Sequence, residues 1–338
     1  MNFKAIIPIL SPMLILHEEI KEKEFIRETF QNMIKQLDEE ESYKFIINEN
    51  QKTVKIHVEE VDAEKLNEDL SMLRIHNILY MDMEIDINEY RDSKIEESII
   101  EKYQYTEEQI IKITIDEIIR EFEKAINDFR IAVNIAFPGF FEVGDGEIYA
   151  DGRSRKTKSA YSYLLESVLS ARKRKWPEIK ILNIADTWEW LLKRENFINA
   201  MSSNPIERAL SAFTHIFKAE NYDDLFYSLI GIEAIYTDGK QGILEQLRKK
   251  SSAIFGEPEN YKNSLSKMYD IRSRFMHGNL NFPSKYYRYD AIEQFDEFIQ
   301  EEYTQCIEMA ESLLVATIQQ FVIRNAETLK FNLQTEFL

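Results

Sequence analysis

From about residue 186 to residue 324 the apolar residues of this chain recur at spacings of three, four and seven. Between Tyr43 and Ile87 they instead alternate with polar ones. A helix returns a side chain to the same face every 3.6 residues and a strand every 2, so no single type of element satisfies both patterns. The 338 residues are therefore expected to form an α+β N-terminal domain (1–152), a connector (153–185) and an all-α C-terminal helical bundle (186–338).

In the first part, Glu22–Glu40 has helical spacing. Tyr43–Ile47 and Thr53–Glu59 alternate around Asn48-Glu49-Asn50-Gln51 and predict a hairpin. Ile78–Ile87 sets Met81, Met83, Ile85 and Ile87 against Asp82, Glu84 and Asp86, a half-buried strand whose carboxylates line a solvated face rather than a metal site. Repeated Ile pairs from Glu107 to Ile135 predict a long helix. Ala5–Leu16 is apolar but too short to span a bilayer, is broken by Pro8 and Pro12, and lacks a small-residue cleavage pattern. A buried strand or loop is expected there, in a soluble, cytoplasmic protein without a membrane partner. His17, His57 and His76 have no metal-ligand spacing, and no metal or cofactor is expected.

The connector changes sign. Residues 153–180 hold nine basic residues and two acidic ones, with Arg172, Lys173, Arg174 and Lys175 in a run before Trp176. With Tyr161 and Tyr163 interleaved, this is a candidate strip for RNA phosphates, although a solvated helix face would look the same. Asp186 or Thr187 then fits the N-cap of a helix carrying Trp188, Trp190 and Leu191. Five helices follow, over Pro205–Ala219, Asn221–Tyr236, Gly242–Phe255, Tyr261–His277 and Asp290–Arg324, with short connections suited to a bundle.

Two charges interrupt the apolar stripes of these helices. In Tyr261–His277 the stripe is Leu265, Met268, Tyr269, Phe275 and Met276, with Arg272 in its middle. In Asn221–Tyr236 it is Leu225, Phe226, Leu229, Ile230, Ile232 and Tyr236, with Glu233 inside it. A lone buried guanidinium or carboxylate costs several kcal/mol, so the two are expected to pair. His277 ends its helix, and Gly278-Asn279 supplies the residue types that tolerate a left-handed closing turn.

The stretch Tyr269-Asp270-Ile271-Arg272-Ser273-Arg274-Phe275-Met276-His277-Gly278 resembles the Arg-x4-6-His signature of HEPN domains, most closely the Apea-like branch. Leu225–Tyr236, with Glu233-Ala234 before a loop, is similar to the preceding helix of that branch. The resemblance covers roughly residues 195–325. It implies a HEPN-like bundle and metal-independent endoribonuclease chemistry, in which a ribose 2′-OH attacks the adjacent phosphate. Arg272 and His277 would be catalytic, with Glu233, Ser273, Arg274 and Asn279 in support and Lys285, Tyr287 and Arg288 as further RNA contacts. It also implies a homodimer with a composite site, of bacterial defence or toxin type, with a protein or phage-derived trigger acting on the N-terminal domain. A non-catalytic HEPN dimerisation or ligand-binding module is the other reading.

Charge bears on this choice. The net charge is −18, and residues 1–150 contain 17 basic against 34 acidic residues, leaving the rest near neutral. Such a field opposes indiscriminate nucleic-acid binding and leaves room for a local basic site. The single cysteine, Cys306, excludes an intramolecular disulfide framework and a Cys-based zinc site, and its place on an apolar stripe predicts a buried thiol.

Overall fold

The computed structural model describes residues 1–12, 20–61, 75–94, 105–160, 162–217, 223–238, 242–258, 263–279 and 297–331. His17, Tyr161, Lys285, Tyr287, Arg288 and the side chain of His76 lie outside this set. Two compact units account for the chain. The first takes Met1–Tyr161 and Ile181–Lys193, and the second Ser162–Lys180 and Arg194–Leu338.

The first unit is built on β1 (Asn2–Leu10), α1 (Ile20–Glu39), β2 (Ser42–Ile47), β3 (Asn50–Glu60), β4 (Ile75–Glu84), α2 (Ile87–Lys94), α3 (Glu107–Ala136), β5 (Glu142–Val143), β6 (Gly146–Ala150) and β7 (Arg153–Thr157). The sheet order is β2-β3-β4-β1-β6-β7, with β5 also on β1, and every pairing is antiparallel. The expected hairpin forms with a two-residue turn, in which Asn48 and Glu49 both take positive φ (50° and 63°). That mirror-image turn matches the twist of the flanking strands.

Of the apolar segment Ala5–Leu16, residues 5–10 lie in β1, paired on both edges, and residues 13–16 fall outside the described set. A proline is poorly suited to such a strand because it lacks a ladder donor. Pro8 is accommodated because β1 pairs with β6 at Lys4–Ile6 and with β5 at Ile9–Leu10, leaving a break between them. At that break only the Pro8 carbonyl is used, accepting from Gly144 N–H at 2.9 Å.

The alternation read from sequence sorts the sheet's two faces. Phe3, Ala5, Ile7, Ile9, Phe45, Val54, Ile56, Leu79, Met81 and Met83 are buried. On the outer face Lys4 pairs with Asp82 at 3.3 Å; the strand ends at Glu84, not Ile87, because Asp86 accepts from Asn88 N–H and Ile87 opens α2. The carboxylate alternation is thus a solvated face. Phe129 of α3 meets Tyr43 and Phe45 at centroid distances of 4.9 and 5.4 Å, closing the core over the hairpin. A capping box between Thr106 and Gln109 starts α3. At its other end buried Asn134 donates to Phe141 O and accepts from Gly139 N–H, satisfying the turn's backbone groups.

The basic connector supplies β7 to the first unit and α4 (Leu164–Arg174) to the second. The helix carrying the tryptophans, α5 (Ile184–Leu192), belongs to the sheet unit: Trp188 Nε1 donates to Lys44 O at 2.6 Å, and Ile184 N–H donates to Gln36 Oε1 at 3.0 Å. Its N-cap is Asn183, accepting from Asp186 N–H at 2.9 Å, and not Asp186 or Thr187. The cap forms where the last extended backbone precedes the helix, and Asn183 stands there.

The second unit is helical, with α6 (Glu195–Asn199), α7 (Pro205–His215), α8 (Asp224–Tyr236), α9 (Ile243–Phe255), α10 (Ser264–Met276) and α11 (Glu297–Ile323) added to α4. Asn204 caps α7 with Pro205 in its first turn, and Ile216, not Ala219, follows its end. His215 stacks on Tyr227 of α8, ring centroids 4.2 Å apart. Helix α11 is the core: from Met309 to Gln319 every residue is buried, so it carries no single stripe. Among the described residues it is the one helix long and apolar enough to cross a membrane, and most of it is covered by α4, α7, α8 and α10. Cys306 on it is buried, and burial pushes its thiol up to about 12.

Helices α8 and α11 run parallel. Gly231 lies against Leu314, and five residues further Tyr236 Oη meets Thr317 Oγ1 at 2.7 Å. A Cβ at Gly231 would stand 2.8 Å from the Leu314 side chain. The absence of a side chain therefore sets how closely the two helices approach.

Candidate functional site

Helix α10 buries Leu265 and Met268 of the expected stripe together with Ile271, and leaves Tyr269 and Phe275 half-buried. Met276 is 65% exposed, and so is Ile230 on α8, at 53%. Ile271 and Met276 both fit a 3.6-residue period with Leu265 and Met268, and the packing buries Ile271. The consequence falls on Arg272, which sits at the rim beside the buried line and not within it.

Arg272 and Glu233 do meet: Nη2 lies 3.6 Å from Oε2. Their side chains are 36% and 19% exposed, so this is a partly solvated pair joining α8 to α10. Around it the two helices interlock, with the rings of Phe226 and Phe275 4.2 Å apart. The Arg272 guanidinium lies 6.0 Å from the centre of the Tyr269 ring, one turn earlier on α10. The Tyr269 hydroxyl is pushed well above the usual phenol range, first by burial and then by the Glu233 carboxylate it faces.

The end of α10 is a Schellman closure. Gly278 N–H donates to Phe275 O at 3.0 Å and Asn279 N–H to Arg274 O at 2.7 Å, with Gly278 at φ 70°. Asn279 therefore closes the helix through its backbone and leaves its side chain exposed. His277 is the C-cap and is exposed, as is Ser273. Arg274 turns back toward Asp270 at 3.8 Å. Because α10 stays helical through Met276, Arg272 and His277 point in different directions, about 140° apart at 100° per residue. Arg272 faces α8, while His277 stands free at the tip.

The basic run divides. Arg172, Lys173 and Lys175 are on the surface at the C-terminal end of α4, where cations complement the helix dipole. Arg174 turns inward with a side chain 7% exposed, donating to Ser312 Oγ at 3.2 Å and lying 3.8 Å from Glu308. Trp176 is also buried and donates to Gly256 O at 3.0 Å. Among the described residues no group of three or more His, Cys, Asp or Glu is placed to hold a metal ion.

A second constellation escaped the sequence reading. Glu311 lies in the most buried part of α11 and accepts from Ser167 Oγ of α4 at 2.5 Å. Asp224, at the start of α8, is near enough to Glu311 to feel its charge. Burial pushes both carboxyls up to about 8, with Glu311 adding to the effect on Asp224, and Glu166 and Glu308 to that on Glu311. The sequence does carry one sign of it, a glutamate amid Met309-Ala310 and Leu313-Leu314-Val315-Ala316. Asp224, at a helix start, reads as an ordinary first-turn acid.

Compared with family models, curated proteins and solved structures, the chain matches none.

Proposed function

We propose that the second unit is a HEPN-like bundle acting as a metal-independent endoribonuclease of bacterial defence or toxin type in the cytoplasm. The observation that carries the reading is the Glu233–Arg272 pair at the rim of α8 and α10, on the same helix whose tip presents His277. A guanidinium held by a carboxylate yet one-third exposed can receive a phosphate oxygen without first being dug out of a core. An exposed imidazole at a helix end is open to exchange a proton with a bound ribose.

The chemistry needs a proton acceptor, a proton donor and a counter-charge for the phosphorane. One chain offers one motif histidine, and its Arg272 points away from it. Two chains about a two-fold axis near His277 complete the set. One His277 takes the proton of the 2′-OH as the 2′-oxygen bonds to phosphorus. The partner's His277 gives a proton to the departing 5′-oxygen, leaving a 2′,3′-cyclic phosphate and a 5′-OH. Arg272 of each chain neutralises the pentavalent intermediate. Arg172, Lys173 and Lys175 would contact the RNA backbone, and the acidic first unit would receive the trigger.

The second reading, a non-catalytic dimerisation or ligand-binding module, is favoured by Ile230 and Met276, exposed apolar side chains on the two helices that carry the pair. Purified protein incubated with single-stranded RNA in EDTA separates the two. Cleavage that is lost in His277→Ala, with an unchanged circular dichroism spectrum, supports the nuclease. Cleavage that requires a divalent metal or survives the substitution refutes it, and a dimer that binds RNA or a trigger protein without cutting is the second reading.

A further inference from the structure

Glu233 has two carboxylate oxygens, and Arg272 uses only one. Oε2 is 3.6 Å from the guanidinium. Oε1 is buried and has no hydrogen-bond partner among the described residues, and the same is true of the Tyr269 hydroxyl. Arg272 ties the two residues into one cluster, 3.6 Å from Glu233 Oε2 and 6.0 Å from the centre of the Tyr269 ring, and the Glu233 carboxylate is near enough to act on the Tyr269 hydroxyl. Buried polar atoms left unpaired are costly, and a donor and an acceptor that face each other satisfy that cost together. Tyr269 and Arg272 are three apart on α10, hence on one face of it.

We propose that Tyr269 is a positioning residue: its hydroxyl donates to Glu233 Oε1 and so fixes the carboxylate that holds Arg272 at the helix rim. Without that donor Oε1 is a buried charge with nothing to accept from. The carboxylate then rotates toward water and releases the guanidinium. The resemblance that singles out Arg272 and His277 gives Tyr269 no role beyond packing, and its ring does pack, so the hydroxyl is what the proposal concerns. Burial and the adjacent carboxylate both keep the phenol protonated, which preserves it as a donor across the physiological range.

The inference rests on the nuclease reading for its kinetic consequence but not for its geometry, so two measurements are needed. The first needs no activity. In protein labelled at the tyrosine ring carbon that bears the hydroxyl, the signal lost in Tyr269→Phe identifies Tyr269. That signal is expected to move in Glu233→Gln, and the Arg272 side-chain N–H signal is expected to move in Tyr269→Phe. If neither moves, the contact does not exist and the proposal is overturned whatever the protein does to RNA. The second uses a single-stranded RNA oligonucleotide in EDTA. Tyr269→Phe is expected to lower kcat roughly tenfold with KM little changed, the size of effect that follows from losing one hydrogen bond to a charged group. The double variant Tyr269→Phe/Glu233→Gln is expected to be no worse than Glu233→Gln alone, because Tyr269 acts through Glu233. Multiplying losses would overturn the proposal. A wild type that cuts no RNA refutes the nuclease reading alone, and the resonance measurement then decides this inference by itself.

Discussion

Replacing Glu311 by Gln tests whether the buried carboxyls of the helical unit are held protonated. The Glu311 side chain is fully buried, accepts from Ser167 Oγ, and has its pKa pushed from 4.5 up to about 8. In the unfolded chain the group gives up its proton above about pH 4.5, whereas in the folded chain it keeps it until about pH 8. The contribution to stability is therefore complete below the unfolded value and declines as pH rises toward the folded one. At about 1.4 kcal/mol per unit over about 3.5 units, the decline amounts to roughly 5 kcal/mol. Gln has the same shape, can accept from Ser167, and cannot ionise. Asp224, raised to about 8 by burial first and then by the Glu311 carboxyl, stays in the variant. Hydrogen exchange of α11 amides between pH 5.5 and 7.5, expressed as protection factors, reads the difference. Wild-type protection should fall about tenfold more per pH unit than that of Glu311→Gln. At pH 7 the variant should be the better protected, by up to roughly 3 kcal/mol. Equal slopes would mean that Glu311 is ionised in the folded protein, held by a cation or by water, and the account of a proton-bearing core would fall.

The Glu233–Arg272 pair calls for a smaller effect than a buried pair would. With side chains 19% and 36% exposed, Glu233→Ala should cost roughly 1–2 kcal/mol, between the values for exposed and buried pairs. A double-mutant cycle by urea unfolding that gives no coupling would show that they merely stand near each other. Gly231→Ala should destabilise by about 1–3 kcal/mol by forcing α8 from α11, since its Cβ would stand 2.8 Å from Leu314; an unchanged urea midpoint would mean that Leu314 simply moves aside. Light scattering should report a dimer, and mixed dimers of wild type with His277→Ala should be nearly inactive. Half of the wild-type activity would mean that each chain carries a complete site.

Local pattern was enough for several of the elements. The hairpin at Asn48–Glu49, the long helix ending at Ala136, and the helices that begin at Pro205 and close at Gly278 follow from periodicity, caps and turn residues, all of which act within a few positions of the chain. The meeting of Glu233 with Arg272 was legible for a similar reason: two charges of opposite sign each broke an apolar stripe. What the sequence could not settle was depth. An apolar stripe fixes a helix face to within about one residue, 100° of rotation. Choosing between Ile271 and Met276 depended on what α11 and α8 offered opposite, and that choice put Arg272 at a rim, 36% exposed beside Glu233. The same holds for Arg174, one of four basic residues in a run, which only the packing of α4 on α11 turned inward toward Glu308 and Ser312. Trp188 is buried by its neighbours 144 residues earlier in the chain, at Lys44, and so joins the sheet unit and not the bundle. Asp224 and Glu311 are 87 positions apart in the chain. Their raised pKa values exist first because helix packing takes each carboxyl out of water, a property of the packed helices and of neither segment alone.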